Sequence, residues 1–260
     1  MNIDHLSFSS ITSYLNCSKA WKYKYLEKLE TKTSSQLLFG SAWHKTVEAI
    51  VAGAVDGESY KKDFWKQSLL SEIEQSQKKN QVVEWGGETE ESLINAGLRL
   101  LNSEEVKKGL LSIYPGNDEK GPKIERKIEL RVPGVPIPVI GYIDIITEDG
   151  VCGDFKTSGK SWSETQAKDS LQPLFYMAGL KQMGMPAPDL FRHYVFVKTK
   201  EPKFQVIETS YQPFEVMFLF RLINNVWQAI EKEAFFENPG GWLCSERFCD
   251  FWKECRGKYQ

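Results

Sequence analysis

The chain lacks any apolar run long enough to cross a bilayer. Its longest, such as Val216–Phe220, fall far short of the roughly 20 residues that a spanning helix needs. Residues 1–10 also lack the basic start and apolar stretch of a secretory leader. The expectation is a soluble, cytoplasmic protein in a reducing compartment, without a membrane partner. Neither sign of charge is in excess, since 33 Lys and Arg against 35 Asp and Glu leave −2. Nothing therefore draws the whole surface to nucleic acid, and such a partner would have to be met in a local groove. No G-x-x-x-x-G-K-S/T phosphate loop occurs, so the chain cannot drive unwinding by itself. There is no C-x-x-C pair, no internal repeat and no low-complexity linker, and histidine occurs only three times.

What is present is enough for a full core. A chain of 260 residues, 41% hydrophobic, reads as one elaborated domain over 1–260. Residues 1–111 have mainly helical periodicity, in Ser7–Leu29, in Phe39–Gly53 and in longer polar-faced segments. From Lys123 the period changes to two. Ile124, Ile128, Leu130 and Val132 alternate with charges, and further strands are expected in 141–158, in Leu190–Lys200 and in Lys203–Ser210. Trp162–Gly184 reads as one helix and Pro213–Phe236 as an amphipathic one. The expected fold class is α/β: a mixed central sheet (122–210) flanked by helices, with a helical N-terminal region and a C-terminal helix and cysteine region (211–260).

The stretch Gly141–Lys160 raises a problem of charge. It reads as two apolar strands around a turn at Asp149-Gly150, yet it carries Asp144, Asp154 and Lys156 where buried side chains are expected. Burying a carboxylate costs several kcal/mol unless it is paired or metal-bound. A two-residue loop would send Asp144 and Asp154 to opposite faces. A three-residue loop, Glu148-Asp149-Gly150 with Gly150 left-handed, sets them directly opposite each other. Two apposed carboxylates repel unless a cation lies between them, so that register points to a divalent metal, with Lys156 one step along to hold a water or offset charge on a phosphate. An ordinary ion pair beside a turn is the alternative.

Asp144 and Asp154-Phe155-Lys156 resemble, in order and spacing, the core of the PD-(D/E)XK nuclease superfamily. His44, in Gly40-Ser-Ala-Trp-His44, is similar to the Gly-x-x-x-His helix of its RecB-like branch, and Gln172 and Tyr176 resemble that branch's Gln-x-x-x-Tyr pair. The resemblance implies a restriction-endonuclease-like core and a metal-dependent DNA nuclease. It implies Mg²⁺ or Mn²⁺ at His44, Asp144 and Asp154, and Lys156, Gln172 and Tyr176 as further catalytic residues. Glu48, one turn after His44, is expected to be solvated, and Glu125 lies near a Glu often seen in the family.

Cys244, Cys249 and Cys255, with distant Cys17, suit a four-thiolate cluster, with zinc as the alternative metal; Cys152 is expected to be a buried thiol. One Cys before the His helix and three after the last helix resemble the iron–sulfur RecB-like exonucleases, including AddB-type nuclease domains and CRISPR-adaptation exonucleases. That implies a structural [4Fe–4S] cluster and an exonuclease acting on single-stranded DNA or DNA ends. Helicase, recombination or CRISPR-adaptation proteins are the implied partners, and the chain would be a monomer or a ring homo-oligomer. The rival readings are a catalytically silent DNA-binding or assembly subunit and a redox-sensing DNA-binding protein. Trp21, Tyr23 and Tyr25, interleaved with lysines, form either a base-stacking strip or a packed helix face.

Overall fold

The computed structural model describes residues 3–79 and 81–259. A short strand, β1 (Leu6–Ser7), runs directly into α1 (Phe8–Asn16), whose start is fixed by a capping box between Ser7 and Ser10. The helix expected to continue to Leu29 breaks at Cys17, whose backbone is extended, and resumes as a single turn and a π-turn through Leu26. The break has partners far along the chain. Ser18 Oγ donates to the Phe236 carbonyl (3.1 Å) and accepts from the Phe236 N–H (2.9 Å), and Asn238 Nδ2 donates to the Asn16 carbonyl (2.9 Å).

Four helices follow: α2 (Ser35–Val51), α3 (Glu58–Lys78), α4 (Glu90–Asn102) and α5 (Glu104–Leu111). The strands β2 (Ile124–Leu130), β3 (Val139–Ile146) and β4 (Cys152–Ser158) precede α6 (Gln172–Gln182), β5 (Leu190–Val197), β6 (Lys203–Ser210) and α7 (Pro213–Glu231). The single helix expected over Trp162–Gly184 is two, because a short helix at Glu164–Lys168 ends before α6 starts afresh with Pro173 in its first turn. Proline lacks an N–H and disfavours helical geometry in the residue before it, so it opens helices more readily than it continues them.

The sheet is mixed. β2 lies antiparallel along one side of β3, while β4, β5 and β6 extend from the other, with β4 and β5 parallel. One core cluster packs Phe39, Trp43 and Val47 of α2 against Trp65, Phe155 and Phe196. A second packs Leu174 and Phe175 of α6 and Leu219 and Ile223 of α7 against Ile128, Val139 and Phe191. The β2–β3 ribbon changes partner along its length: Ile128 packs in the second cluster, whereas Ile124 and Ile145 pack with the first. The change falls at Glu125, whose φ of 51° is left-handed, a conformation that L-residues other than glycine rarely adopt. Among the described residues no helix is long and apolar enough to cross a membrane.

Candidate active site

The β3–β4 hairpin has the three-residue loop. Thr147 N donates to the Val151 carbonyl (2.9 Å), Gly150 N to the Thr147 carbonyl (2.8 Å), and Gly150 has φ 80°. Arg192 of β5 clamps the turn through Asp149 Oδ2 (2.7 Å) and also reaches Glu208 (2.9 Å). The Arg192 guanidinium holds the Asp149 carboxyl down at about 2. Ile146 pairs with Cys152 and Ile145 with Gly153, so the next step of the same register sets Asp144 across from Asp154.

At that step the two strands part. The Asp144 carboxylate, not a backbone carbonyl, accepts the Phe155 N–H (2.7 Å), and farther along this side of β3 its partner is β1, at Leu6↔Val139 and Ser7↔Ile140. The three charges of the hairpin sit in this fork. Asp144 is 6% and Asp154 2% exposed. Burial and then the Asp154 charge push the Asp144 carboxyl well above its ordinary value, against the pull of Lys156 and the Phe155 N–H. Lys156 Nζ lies 2.6 Å from Asp154 Oδ2 as an ion pair, and the ammonium offsets the charge of that buried oxygen. Burial works against the ammonium, yet Asp154 and Asp144 together hold its pKa above the usual lysine value.

α2 brings His44 from the other side, with Nδ1 3.3 Å from Asp144 Oδ2. Burial pushes the imidazole down to about 4, so it is neutral near pH 7 and fit to be a ligand. α6 supplies a relay: Tyr176 OH accepts from Gln172 Nε2 (2.6 Å), and Gln172 Oε1 accepts from Lys156 Nζ (3.4 Å). His44, Asp144, Asp154, Lys156, Gln172 and Tyr176 are thus brought together. Glu48, expected to be solvated, is half-buried instead. Burial and then Glu125 push its carboxyl up to about 8, and both residues line a 600 Å³ pocket with His44 and Lys156. The i,i+4 spacing from His44 was the sequence signal for Glu48, while Glu125 lies between the paired positions Ile124↔Ile145 and Arg126↔Ile143 of the β2–β3 ladder.

A second cavity, of about 1070 Å³, begins at Gln172 and Tyr176 and reaches Cys17, Cys244, Cys249 and Cys255. The four thiols therefore line one space. Burial raises the Cys249 thiol, and the other three add to the shift. Cys152, the first residue of β4, is buried in the core, and burial pushes its thiol up to about 12. Trp21 and Tyr23 are buried and Tyr25 packs against the core, so these rings are a packed face and not a stacking strip.

Among the described residues, no three His, Cys, Asp or Glu side chains close on one point as a ready ion-holding group. The donor chemistry nevertheless fits a divalent cation: a neutral imidazole and two buried carboxylates, one of them balanced by the Lys156 ammonium.

Comparison with known proteins agrees with this architecture. A crystal structure of a candidate exonuclease from Eubacterium rectale superposes with a TM-score of 0.57 at 12% identity, covering 94% of this chain and 86% of that one, a likeness of fold. A second solved structure, SSO0001, superposes with a TM-score of 0.36 at 15% identity over 95% of this chain and 96% of its own. No curated protein matches the sequence. The family profile of the PD-(D/E)XK nuclease superfamily matches residues 5–256, nearly the whole chain, and the chain belongs to that superfamily.

Proposed function

We propose that the protein is a divalent-metal-dependent exodeoxyribonuclease of the RecB-like iron–sulfur type, acting as one nuclease domain on single-stranded DNA or DNA ends. The observation that carries this reading is the fork, where Asp144 and Asp154 come opposite each other with Lys156 beside them. Mg²⁺ or Mn²⁺ held by His44, Asp144 and Asp154 would supply Lewis acidity at the scissile phosphate. Lys156, fixed as an ammonium, orients the attacking water and offsets negative charge that builds on the phosphoryl oxygens. Gln172 holds the lysine and Tyr176 holds Gln172, so the ammonium is aimed before substrate arrives.

The larger cavity supports a flexible strand as substrate. Its walls carry Lys24, Lys127 and Arg256 for phosphates and Tyr142, Phe248 and Trp252 for stacking, and Gln172 joins it to the catalytic lysine. Four thiols lining that one cavity support a [4Fe–4S] cluster on Cys17, Cys244, Cys249 and Cys255, which would tie the two chain ends together.

The test is digestion of end-labelled single and double strands with Mn²⁺, each end blocked in turn, beside Asp154→Ala and Lys156→Ala. Cleavage should start at a free end of the single strand and fall about a thousandfold in both variants. Wild-type rates in either variant would move the active site elsewhere. An inactive wild type that still binds DNA would mark a silent binding subunit.

A further inference from the structure

Two buried polar atoms stand on neighbouring strands: Asp154 Oδ2 on β4 and His193 Nδ1 on β5, the latter without a hydrogen-bond partner. These residues are opposite each other in the parallel β4–β5 ladder, where paired residues point their side chains to the same face. His193 is only 1% exposed, so solvent does not satisfy its nitrogen. The rings of Phe191 (4.9 Å) and Trp162 (5.6 Å) enclose the imidazole. An unpartnered buried polar group costs about 1–3 kcal/mol. Asp154 Oδ2 has the Lys156 ammonium beside it at 2.6 Å, whereas His193 Nδ1, at the paired position on the same face, has no partner of its own.

We propose that His193 is a positioning residue for Asp154: its Nδ1–H takes one carboxylate oxygen when a divalent cation takes the other, and Lys156 is thereby released toward the substrate. The inference rests on Asp154 being a metal ligand, as argued above. Metal-binding carboxylates are held in place by outer hydrogen-bond donors, and losing such a donor typically weakens metal binding about 10- to 100-fold. Without a cation, Lys156 at 2.6 Å balances the Asp154 charge and no second donor is needed. With a cation in place the ammonium is redundant there. A neutral donor on the opposite side fixes the carboxylate without adding a second positive charge.

The experiment is Mn²⁺ titration calorimetry and thermal melting on full-length wild type, His193→Phe, His193→Gln and Asp154→Ala. His193→Phe keeps the buried volume but loses the donor, and should weaken Mn²⁺ binding about tenfold or more. His193→Gln keeps an N–H donor and should recover most of that loss. Unchanged affinity in His193→Phe, or a glutamine variant no better than the phenylalanine one, would overturn the assignment. Should His193→Phe fail to fold, ¹⁵N spectra of histidine-labelled wild type decide: the His193 Nδ1 signal must shift toward a hydrogen-bonded value as Mg²⁺ is added, and a stationary signal overturns the proposal. Mn²⁺ affinity that survives Asp154→Ala would sink the metal reading itself. Affinity lost in Asp154→Ala but kept in His193→Phe would sink only the positioning role.

Discussion

Phe155 donates its backbone N–H to the Asp144 carboxylate at 2.7 Å, so the hairpin ladder ends where the candidate site begins. One side chain thus serves the fold and faces the chemistry. Asp144→Asn keeps an acceptor for that N–H and removes the repulsion with Asp154, so its stability should stay within about 1 kcal/mol of wild type. Asp144→Ala leaves the N–H unpaired and should cost about 1–3 kcal/mol. Both should lose Mn²⁺-dependent cleavage. Denaturant melts beside activity assays check the split, and an active Asp144→Asn enzyme would refute the ligand role.

Glu48 makes stability depend on pH in an unusual direction. Its carboxyl is raised from 4.5 to about 8 in the folded protein, so between those pH values the folded state holds a proton that the unfolded chain has released. Stability of the metal-free protein should therefore fall as pH rises from about 4.5 to 8. The loss should be about 2 kcal/mol, below the full linkage value because water screens this half-buried group. Glu48→Gln should flatten the slope. Thermal melts in EDTA across that range test it, and a slope that the substitution leaves unaltered would assign it to other groups.

Much of this was legible in the residues. Period-two alternation located β2, β5 and β6, and Gly150 selected the loop that sets Asp144 across from Asp154. What escaped depends on tertiary placement. β1 is two residues long and pairs with a strand more than 130 positions away, so no local pattern announces it. Glu48 has the spacing of a solvated helix residue, and its half-buried place beside Glu125 is set by how α2 meets the β2–β3 ribbon. His193 reads as one more residue of an apolar strand until β5 is known to lie beside β4.

The loop itself can be tested at Gly150. Nothing lies within 4 Å of an added Cβ there, so any penalty is backbone strain alone. Gly150→Val should cost about 1–2 kcal/mol and weaken Mn²⁺ binding by loosening the Asp144–Asp154 apposition. Gly150→Asn, which tolerates the left-handed region, should do less of both. Calorimetry showing equal Mn²⁺ affinity in all three proteins would uncouple the turn from the site.

Cys17 and Cys152 should behave oppositely. Cys17 faces the cavity shared with Cys244, Cys249 and Cys255, whereas Cys152 is packed in the core. Cys17→Ser should lose bound iron and its visible absorbance. It should also lose about 4 kcal/mol of stability, by analogy with a cross-link closing a long loop. Cys152→Ser should keep the iron. Zinc in place of iron in the native protein would replace the cluster assignment and leave the nuclease reading intact.

Tyr176 offers the finest test of the proposed relay, because its hydroxyl touches Gln172 and Gln172 touches Lys156. Removing the hydroxyl leaves the Gln172 amide free to rotate, so Lys156 is presented an acceptor only part of the time. A lost hydrogen bond of about 1.4 kcal/mol in the transition state corresponds to a tenfold fall in rate. Tyr176→Phe should therefore lower kcat about tenfold with little change in KM, since Tyr176 aligns the lysine and does not anchor the strand. Gln172→Ala should lower kcat at least as far, and adding Tyr176→Phe to it should do no further harm, because both act through one chain of contacts. Steady-state kinetics on the two single variants and the double variant measure this coupling. Strictly multiplicative losses would show that Tyr176 acts on the substrate directly, and the relay would then be the wrong description.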